Sequence, residues 1–226
     1  MKPMSEAHLA ILRRHMVEVI GIHAELMSEE LGKAALDERV LAAMRRVPRH
    51  LFVPLPLIPL AYQDTPLPIG FDKTISQPFI VALMADLLAP ERHERVLEVG
   101  TGLGYQAAVL AELAGQVWSV EIVEELASQA EARLRQLGHP ALGVRTGDGS
   151  RGWGEHAPYD KVLVTAAAER PPAALLEQLK PGGRLVLPLG PAGAPQRLTI
   201  IDKDASGNTC ARELIPVRFT PLETVL

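Results

Sequence analysis

The sequence of 226 residues has one cysteine, no closely spaced pair of histidines and no long uncharged apolar run. A single cysteine, Cys210, excludes an internal disulfide framework and a cysteine cluster for zinc. The seven histidines are scattered and lack the spacing of paired ligands, so we expect no metal site. No apolar run approaches the ~18 residues of a membrane span, and no basic and then apolar leader opens the sequence. We therefore expect a soluble cytoplasmic protein without a membrane partner.

An excess of charge of one sign is also lacking. The sequence has 23 basic and 27 acidic residues, and the two signs are interspersed along the chain. A net charge of −4 without a basic stretch gives no electrostatic footprint for nucleic acid, so we expect no nucleic-acid partner. With 47% hydrophobic residues, a chain of this length suits one globular domain with a full core.

The rest of the chain is organised around a short apolar run that leads into a glycine-rich turn. Residues Val96 to Val99 predict a buried strand, and residues Ala107 to Leu113 have helical spacing. The glycines between them stand at alternate positions: Gly100, Gly102 and Gly104. A nucleotide-like cofactor binds at such a turn in an open parallel sheet, because the backbone can approach the ligand closely and a helix N-terminus faces it. The alternative is an ordinary strand-to-helix turn.

The spacing of these glycines distinguishes between cofactors. A dinucleotide fingerprint would need a third glycine at position 105, where Tyr105 stands. The row that begins at Glu98 and continues with a glycine at every second position resembles instead motif I of class I S-adenosylmethionine (SAM) methyltransferases.

Two acidic residues follow the next two predicted strands. Glu121 ends the apolar run that starts at Gln116, 21 residues after Gly100, where a carboxylate can accept hydrogen bonds from two ribose hydroxyls. Alternatively, Glu121 caps the helix that starts near Val123. Asp148 follows a short strand predicted from Ala141 to Val144. The resemblance to class I methyltransferases implies that it accepts the adenine amino hydrogens, and the alternative is a solvated turn residue.

The residues before the glycine turn predict helices and a substrate-side loop. One amphipathic helix is expected from Ser5 to Leu31 and a second after Asp37, both packed as a lid. The prolines of Pro54 to Leu60 predict an extended or looped stretch, either tucked against the core or able to receive a peptide or a partner subunit. Residues Thr74 to Pro78 lead into a helix whose N-terminal amides suit a carboxylate. Ser76 is expected to donate its hydroxyl to that anion or, alternatively, to act as the N-cap.

Several segments together are similar to the signature elements of protein-L-isoaspartate O-methyltransferases, in order from about residue 37 to residue 222. The segment Thr74-Ile75-Ser76-Gln77-Pro78 is close to diagnostic of that family, whereas the glycine motif alone indicates only the superfamily. The other matching segments are Val47-Pro48-Arg49, Phe52-Val53-Pro54, residues 61–70, residues 96–102, Gly147-Asp148-Gly149, Ala157-Pro158-Tyr159-Asp160, Val164-Thr165-Ala166-Ala167 and Pro216-Val217-Arg218-Phe219.

The predicted fold is α/β: a doubly wound, Rossmann-like, mostly parallel sheet of seven strands with the N-terminal helices as a lid. We expect a single SAM-dependent methyltransferase domain, residues 1–226. Residues 1–50 would form an N-terminal helical extension, 51–90 a substrate-side loop and helix, and 91–226 the cofactor-binding sheet.

The resemblance implies transfer of the methyl group of SAM to the α-carboxylate of L-isoaspartyl residues in damaged proteins and peptides, with S-adenosylhomocysteine as product and no metal. The methyl ester then cyclises to a succinimide that reopens partly as normal aspartate. The residue with the catalytic role would be Ser76. The cofactor-binding residues would be Thr74, Glu98, Gly100, Thr101, Gly102, Gly104, Glu121, Asp148 and Gly149. The substrate-binding residues would be Ile75, Ser76, Gln77, Thr165 and Ala166, the last two at a strand end whose small residues could alternatively serve helix–sheet packing.

Departures from the family pattern all lie on the substrate side. Asp72 stands where relatives usually carry glycine, the stretch from Leu55 to Leu60 is apolar where relatives have a charged turn, and the N-terminal helix is long. The long helix fits either a dimer contact or a modified lid, so we expect a monomer or a weak homodimer. Two other functions stay open: a same-fold enzyme that esterifies a different peptide or small-molecule carboxylate, and a SAM-binding protein without catalysis.

Overall fold

The computed structural model of the chain describes residues 4–139, 142–191 and 193–225, and its elements follow the order helices, hairpin, then alternating strands and helices. The helices are α1 (Glu6–Leu26), α2 (Ser28–Leu31), α3 (Glu38–Arg46), α4 (Pro78–Leu88), α5 (Tyr105–Ala111), α6 (Glu124–Gln136) and α7 (Ala173–Gln178). The strands are β1 (Leu67–Gly70), β2 (Lys73–Ile75), β3 (Arg95–Val99), β4 (Gln116–Glu121), β5 (Leu142–Thr146), β6 (Tyr159–Val164), β7 (Leu179–Leu189), β8 (Gln196–Lys203) and β9 (Thr209–Val217). Ala141, which the sequence assigned to a strand, lies outside the described residues.

Seven strands form one sheet in the order β5-β4-β3-β6-β7-β8-β9. Strands β3 to β7 run parallel to one another, whereas β8 pairs antiparallel with both β7 and β9. The chain moves from β3 to one side of the sheet and later returns to pair β6 on the other side of β3. This change of direction opens a crevice at the carboxyl ends of β3, β4 and β6, which is where such sheets bind ligands. The predicted fold class is confirmed.

Strand β3 is buried on both faces because helices cover both sides of the sheet. Val96 belongs to one hydrophobic cluster, and Leu97 and Val99 belong to the other. This division follows the alternation of side chains along a strand, and it explains why β3 carries apolar residues on both of its faces. Helix α4 is apolar and buried on almost every side, as expected for a helix within the core.

The N-terminal helices form a layer that packs on α4. Helix α1 contacts both α3 and α4. The predicted helix from Ser5 to Leu31 is interrupted at Met27, and it continues as the single turn α2 before Gly32 adopts φ of 70°. Helix α3 begins as predicted, because the Asp37 carboxylate accepts a hydrogen bond from the Arg39 amide at 2.8 Å.

The proline-rich stretch is neither extended nor an irregular loop, so the expectation of an extended or looped stretch was wrong. Residues Leu55–Leu60 form a 3-10 helix, with the Leu57 amide bonded to Pro54 and the Ala61 amide bonded to Ile58. Proline lacks an amide donor, but a short 3-10 helix leaves several amides unused and its φ value suits proline. Strand β7 also begins five residues earlier than the predicted Arg184, at Leu179.

Candidate active site

Two neighbouring clefts open near the carboxyl ends of the parallel strands. The first is lined by residues of the glycine turn and of the ends of β3, β4 and β6, and by the C-terminal segment from Thr220 to Glu223. The second has a mixed lining, in which the apolar residues and prolines are Pro66, Ile80, Pro195, Pro216, Val217 and Phe219, and the polar residues include Gln77 and Arg218. Four residues line both clefts, and all four bear hydroxyl groups: Thr74, Ser76, Thr165 and Thr220.

The glycine turn needs glycine for two separate reasons. Gly100 has φ of 95°, and a Cβ atom placed there would lie 2.4 Å from Oγ1 of Thr165. That hydroxyl donates hydrogen bonds to the carbonyl oxygens of Gly100 at 2.7 Å and Val99 at 3.1 Å. The end of β6 is therefore tied to the turn after β3, and the Thr165 hydroxyl serves the backbone.

Glu121 ends β4 and holds the same turn from the other side. Its carboxylate oxygens accept hydrogen bonds from the Gly102 amide at 2.7 Å and from the Val123 amide at 3.1 Å. A carboxylate has about four acceptor positions, so two remain for hydroxyl groups of a ligand in the first cleft. Val123 is the N-cap residue of α6, and no side chain of the described residues caps the first turn of that helix, so Glu121 contacts the residue before the helix without acting as its cap.

Glu98 is fully buried in β3 and does not line either cleft. The Ser119 hydroxyl bonds its carboxyl group, and Oγ of Ser119 lies 2.5 Å from Oγ1 of Thr101 in the glycine turn. Burial raises the pKa of Glu98 to about 8, although the bond from Ser119 acts in the opposite direction. The other oxygen, Oε1, has no hydrogen-bond partner within the described chain. Glu98 thus reaches the cleft only through Ser119 and Thr101.

Asp148 begins the 3-10 helix Gly149–Arg151, and its carboxylate is already hydrogen-bonded within the protein. One oxygen accepts from the amide and the hydroxyl of Ser150 at 2.9 and 2.7 Å, and the other accepts from the Val225 amide at 3.1 Å. Burial would raise the pKa of Asp148, but the bonds from Ser150 and Val225 outweigh that effect and lower it. The carboxylate therefore anchors the C-terminal segment beside Gly149, which lines the first cleft.

Ser76 lies between β2 and α4, and its neighbours are fixed by two distant side chains. The Arg49 guanidinium donates to the Ser76 carbonyl oxygen at 2.7 Å. The Asp64 carboxylate accepts from the Gln77 side chain at 2.7 Å and from the Phe79 amide at 2.8 Å. Asp64 therefore supplies the capping contact at the start of α4, and the N-cap position belongs to Gln77, not to Ser76. The N-cap interpretation of Ser76 was wrong.

Most of the predicted site residues come together at the two clefts. Those that line the first cleft are Thr74, Ile75, Ser76, Gly100, Thr101, Gly102, Glu121, Gly149, Thr165 and Ala166. Gln77 lines the second cleft. Gly104, Glu98 and Asp148 are not among the lining residues, and Gly104 instead packs closely on Leu134.

Gln106 and the C-terminal segment also line the first cleft, although the sequence analysis did not identify them. Gln106, on the first turn of α5, lines the first cleft, and both polar atoms of its buried carboxamide lack a partner within the described residues. The C-terminal segment also lines the cleft, held by hydrogen bonds from the Ala167 amide to Thr220 and from the Leu222 amide to Ala167. The one available pointer to Gln106 was its position as a polar residue on the first turn of the helix after the glycine turn.

The chemistry of the first cleft fits a polar ligand such as SAM. The unpartnered carboxamide of Gln106 offers a donor and an acceptor that a polar ligand would satisfy. A Cβ atom at Gly102 would lie 3.3 Å from Cδ1 of Ile69, which lines the same cleft, so glycine keeps the cradle open. Glu121 adds acceptors suited to ribose hydroxyls.

None of the helices among the described residues is long and apolar enough to span a membrane. Those residues also contain no group of three or more potential metal-ligating side chains.

Comparison with known proteins adds to this geometry. The model of the protein-L-isoaspartate(D-aspartate) O-methyltransferase family matches residues 22–225. The chain is 53% identical over 222 residues to protein-L-isoaspartate O-methyltransferase 1 of Polaromonas sp., covering 97% of this chain and 93% of that relative. It is 54% identical over 207 residues to protein-L-isoaspartate O-methyltransferase 2 of the same organism, covering 92% of this chain and 98% of that relative.

Solved structures agree in fold. A protein-L-isoaspartate O-methyltransferase structure superposes with a TM-score of 0.79 at 26% identity, covering 92% of this chain and 65% of that chain. A candidate enzyme of the same name from Plasmodium falciparum, in complex with S-adenosyl-L-homocysteine, gives a TM-score of 0.78 at 21% identity. It covers 94% of this chain and 99% of that chain, and at this identity the likeness shows the fold.

Proposed function

The chain belongs to the protein-L-isoaspartate O-methyltransferase family, and from this premise we propose how its own residues carry out the reaction. It is a SAM-dependent enzyme that methylates the α-carboxylate of L-isoaspartyl residues in damaged proteins and peptides. The proposal concerns which side chains hold the cofactor, which hold the substrate, and which group orients the carboxylate.

The observation that most directly supports this proposal is that the two clefts meet at four hydroxyl-bearing residues. The first cleft contains the glycine turn and Glu121, and the second combines apolar residues with polar side chains, a mixture suited to a peptide. A group transferred between occupants of the two clefts must pass their junction. Among the four, Thr165 donates to backbone carbonyls, whereas Ser76 lies in the short link between β2 and α4, which Arg49 and Asp64 hold in place.

We assign the cofactor to the first cleft. SAM, when bound there, supplies an electrophilic methyl group on a sulfonium centre. Glu121 would accept hydrogen bonds from the ribose hydroxyls, and the amides of the glycine turn would lie against the rest of the cofactor. Gly102 keeps the cradle open, and Thr101, through Ser119, joins the turn to Glu98.

Ser76 is assigned to the substrate. Its hydroxyl would donate a hydrogen bond to one oxygen of the α-carboxylate and leave the other oxygen directed at the methyl group. The reference pKa of a carboxyl group is about 4, so the nucleophile is ionised near pH 7 and no general base is needed. The protein therefore contributes by positioning the carboxylate against the methyl group and by excluding water. Neither Asp72 nor the 3-10 helix Leu55–Leu60 is among the residues that line the two clefts.

The experiment compares paired peptides that differ only in an isoaspartyl or an aspartyl residue, incubated with methyl-labelled SAM. We expect base-labile label on the isoaspartyl peptide alone. For Ser76→Ala we expect kcat to fall by at least about tenfold, since a hydrogen bond to a charged group contributes about 1.5–3 kcal/mol, with SAM affinity within about threefold of wild type. Ser206→Ala, at an exposed serine of the β8–β9 turn, is the matched control.

Two outcomes would contradict the proposal. Label on both peptides or on neither would refute the substrate assignment. Loss of SAM binding in the Ser76→Ala variant would move Ser76 from the substrate to the cofactor.

We further propose that the protein acts on peptide and protein substrates as a monomer or a weak homodimer. The interspersed charges support the absence of a nucleic-acid partner. Sedimentation at several protein concentrations tests the oligomeric state, and a tight oligomer at micromolar concentration would overturn this part of the proposal.

A further inference from the structure

Arg49 is a buried cation that has no carboxylate partner at ion-pair distance within the described residues. It is fully inaccessible to solvent and ranks among the largest buried side chains. Burial lowers its pKa to about 10, which leaves the guanidinium charged near neutral pH. An unpaired buried charge lowers the stability of the fold by several kcal/mol, so we expect the charge at Arg49 to serve a specific role.

The guanidinium connects three segments that meet behind the two clefts. Its Nε donates to the Ala61 carbonyl oxygen at 2.9 Å, and Nη2 donates to the Ser76 carbonyl oxygen at 2.7 Å. Its Cζ lies 4.9 Å from the centroid of the Tyr105 ring. Nη1 has no hydrogen-bond partner in the part of the chain that the structure describes.

These segments belong to different parts of the site. Ala61 precedes the hairpin that ends at β2, and Ser76 follows β2. Tyr105 is the first residue of α5 and lines the first cleft next to the glycine turn. The rigid, planar guanidinium of Arg49 therefore links the loop that carries Ser76 to helix α5, which begins next to the glycine turn.

Lysine cannot reproduce this arrangement. A guanidinium presents several donors in a fixed plane and stacks on an aromatic ring, whereas an ammonium is a single flexible point charge. Displacement of a reacting group by about 1 Å can reduce a rate by about 100-fold. The rigid guanidinium of Arg49 is therefore suited to holding reacting groups in alignment.

We propose that Arg49 is a positioning residue for methyl transfer, which fixes the Ser76 backbone relative to α5 so that the Ser76 hydroxyl meets the substrate carboxylate in register with the cofactor. This inference rests on the proposed function. Arg49 acts through Ser76 and is not among the residues that line either cleft.

The first test replaces Arg49 by lysine and compares the variant with Arg145→Lys. Arg145 is a matched control, because it also lies over an aromatic ring, 4.8 Å from Trp153, and donates to a backbone carbonyl, that of Gly152 at 2.5 Å. It lines neither cleft. For Arg49→Lys we expect kcat on the isoaspartyl peptide to fall by about 10- to 100-fold with SAM affinity within threefold of wild type. For Arg145→Lys we expect both to stay within threefold.

The second test separates positioning from a general effect on stability. The Arg49→Lys substitution is introduced in the Ser76→Ala background. There the further fall in kcat should be less than about threefold, because the hydroxyl to be positioned is absent. If turnover of the Ser76→Ala protein is too low to measure, binding of the isoaspartyl peptide to S-adenosylhomocysteine-loaded protein gives the same comparison. An equal loss in both backgrounds, or a loss of SAM affinity that accompanies the loss of kcat, would overturn the proposal.

A third variant covers the case in which Arg49→Lys does not fold. Arg49→Met removes the unpaired charge with little change in volume, and such replacements are often tolerated in a core. We expect a folded protein with the same loss of kcat, and full activity would overturn the positioning role. Failure of the wild-type protein to label the isoaspartyl peptide would instead refute the proposed function, which keeps the two failures distinct.

Discussion

The carboxylate of Glu121 accepts a hydrogen bond from the amide of Gly102 at 2.7 Å. The last residue of β4 thereby holds the turn that follows the neighbouring strand β3. The same carboxylate also accepts from the amide that precedes α6, so three consecutive structural units converge on one side chain. A group that shapes the cradle and also faces the cleft links cofactor binding to the conformation of the turn.

This arrangement predicts a large effect of Glu121→Gln on the cofactor. The amide group of glutamine presents a donor where the carboxylate accepts, so either the turn or the ribose loses a bond. Hydrogen bonds to charged groups contribute about 1.5–3 kcal/mol, which corresponds to SAM affinity about 10- to 100-fold weaker. Isothermal titration of SAM measures the change. Glu125→Gln, at an exposed glutamate on the first turn of α6, is expected to leave the affinity unchanged.

Gly100→Ala is expected to disrupt the turn more than backbone strain alone would. The added Cβ would meet Oγ1 of Thr165 at 2.4 Å, in addition to the cost of φ near 95°. Gly207→Ala shares a positive φ of 88° but has open space around the added atom, so it isolates the backbone cost of about 1–2 kcal/mol. Urea unfolding should show a clearly larger loss for Gly100→Ala, together with loss of SAM binding. Equal losses in the two variants would show that the contact with Thr165 is readily relieved.

Most of the residues predicted for the first cleft do line it, because their signals are local, whereas Glu98, Gly104 and Asp148 do not. An apolar strand, alternating glycines and a helical segment follow one another within a few residues, and each has one dominant physical reason. Glu121 could be found because the length of one strand–helix–strand unit sets its distance from Gly100. The mostly parallel sheet of seven strands followed from the same alternation of elements.

The substrate side depends on contacts between residues far apart in the chain, which a sequence pattern does not specify. Asp64 reaches the start of α4 across 15 residues, and Arg49 reaches Ser76 across 27. The N-cap expectation for Ser76 was wrong because Asp64 supplies that contact. Asp72, where relatives usually carry glycine, is exposed with φ of 54°, in the left-handed region that glycine and, less often, aspartate adopt. The next residue, Lys73, forms an ion pair with Glu223 in the C-terminal segment.

Glu98 predicts a specific dependence of stability on pH. Burial raises its pKa to about 8 in the folded protein, whereas the ordinary value is 4.5. Between these pH values the folded state retains a proton that the unfolded chain releases, so the free energy of unfolding falls as pH rises, by at most about 1.4 kcal/mol per pH unit from this group. Below about pH 4.5 both states are protonated and this contribution is constant.

The test is urea unfolding of the cofactor-free protein at pH 5, 6, 7 and 8, with Glu98→Gln beside the wild type. Glutamine stays neutral at every pH, so the variant should lack this decline, and its stability relative to wild type should increase from pH 5 to pH 8. Glu125→Gln, on the surface, should follow the wild-type profile. A constant difference between Glu98→Gln and wild type over this range would mean that Glu98 is ionised throughout. In that case its partner Ser119, together with Thr101 beyond it, would have to stabilise a buried negative charge next to the glycine turn.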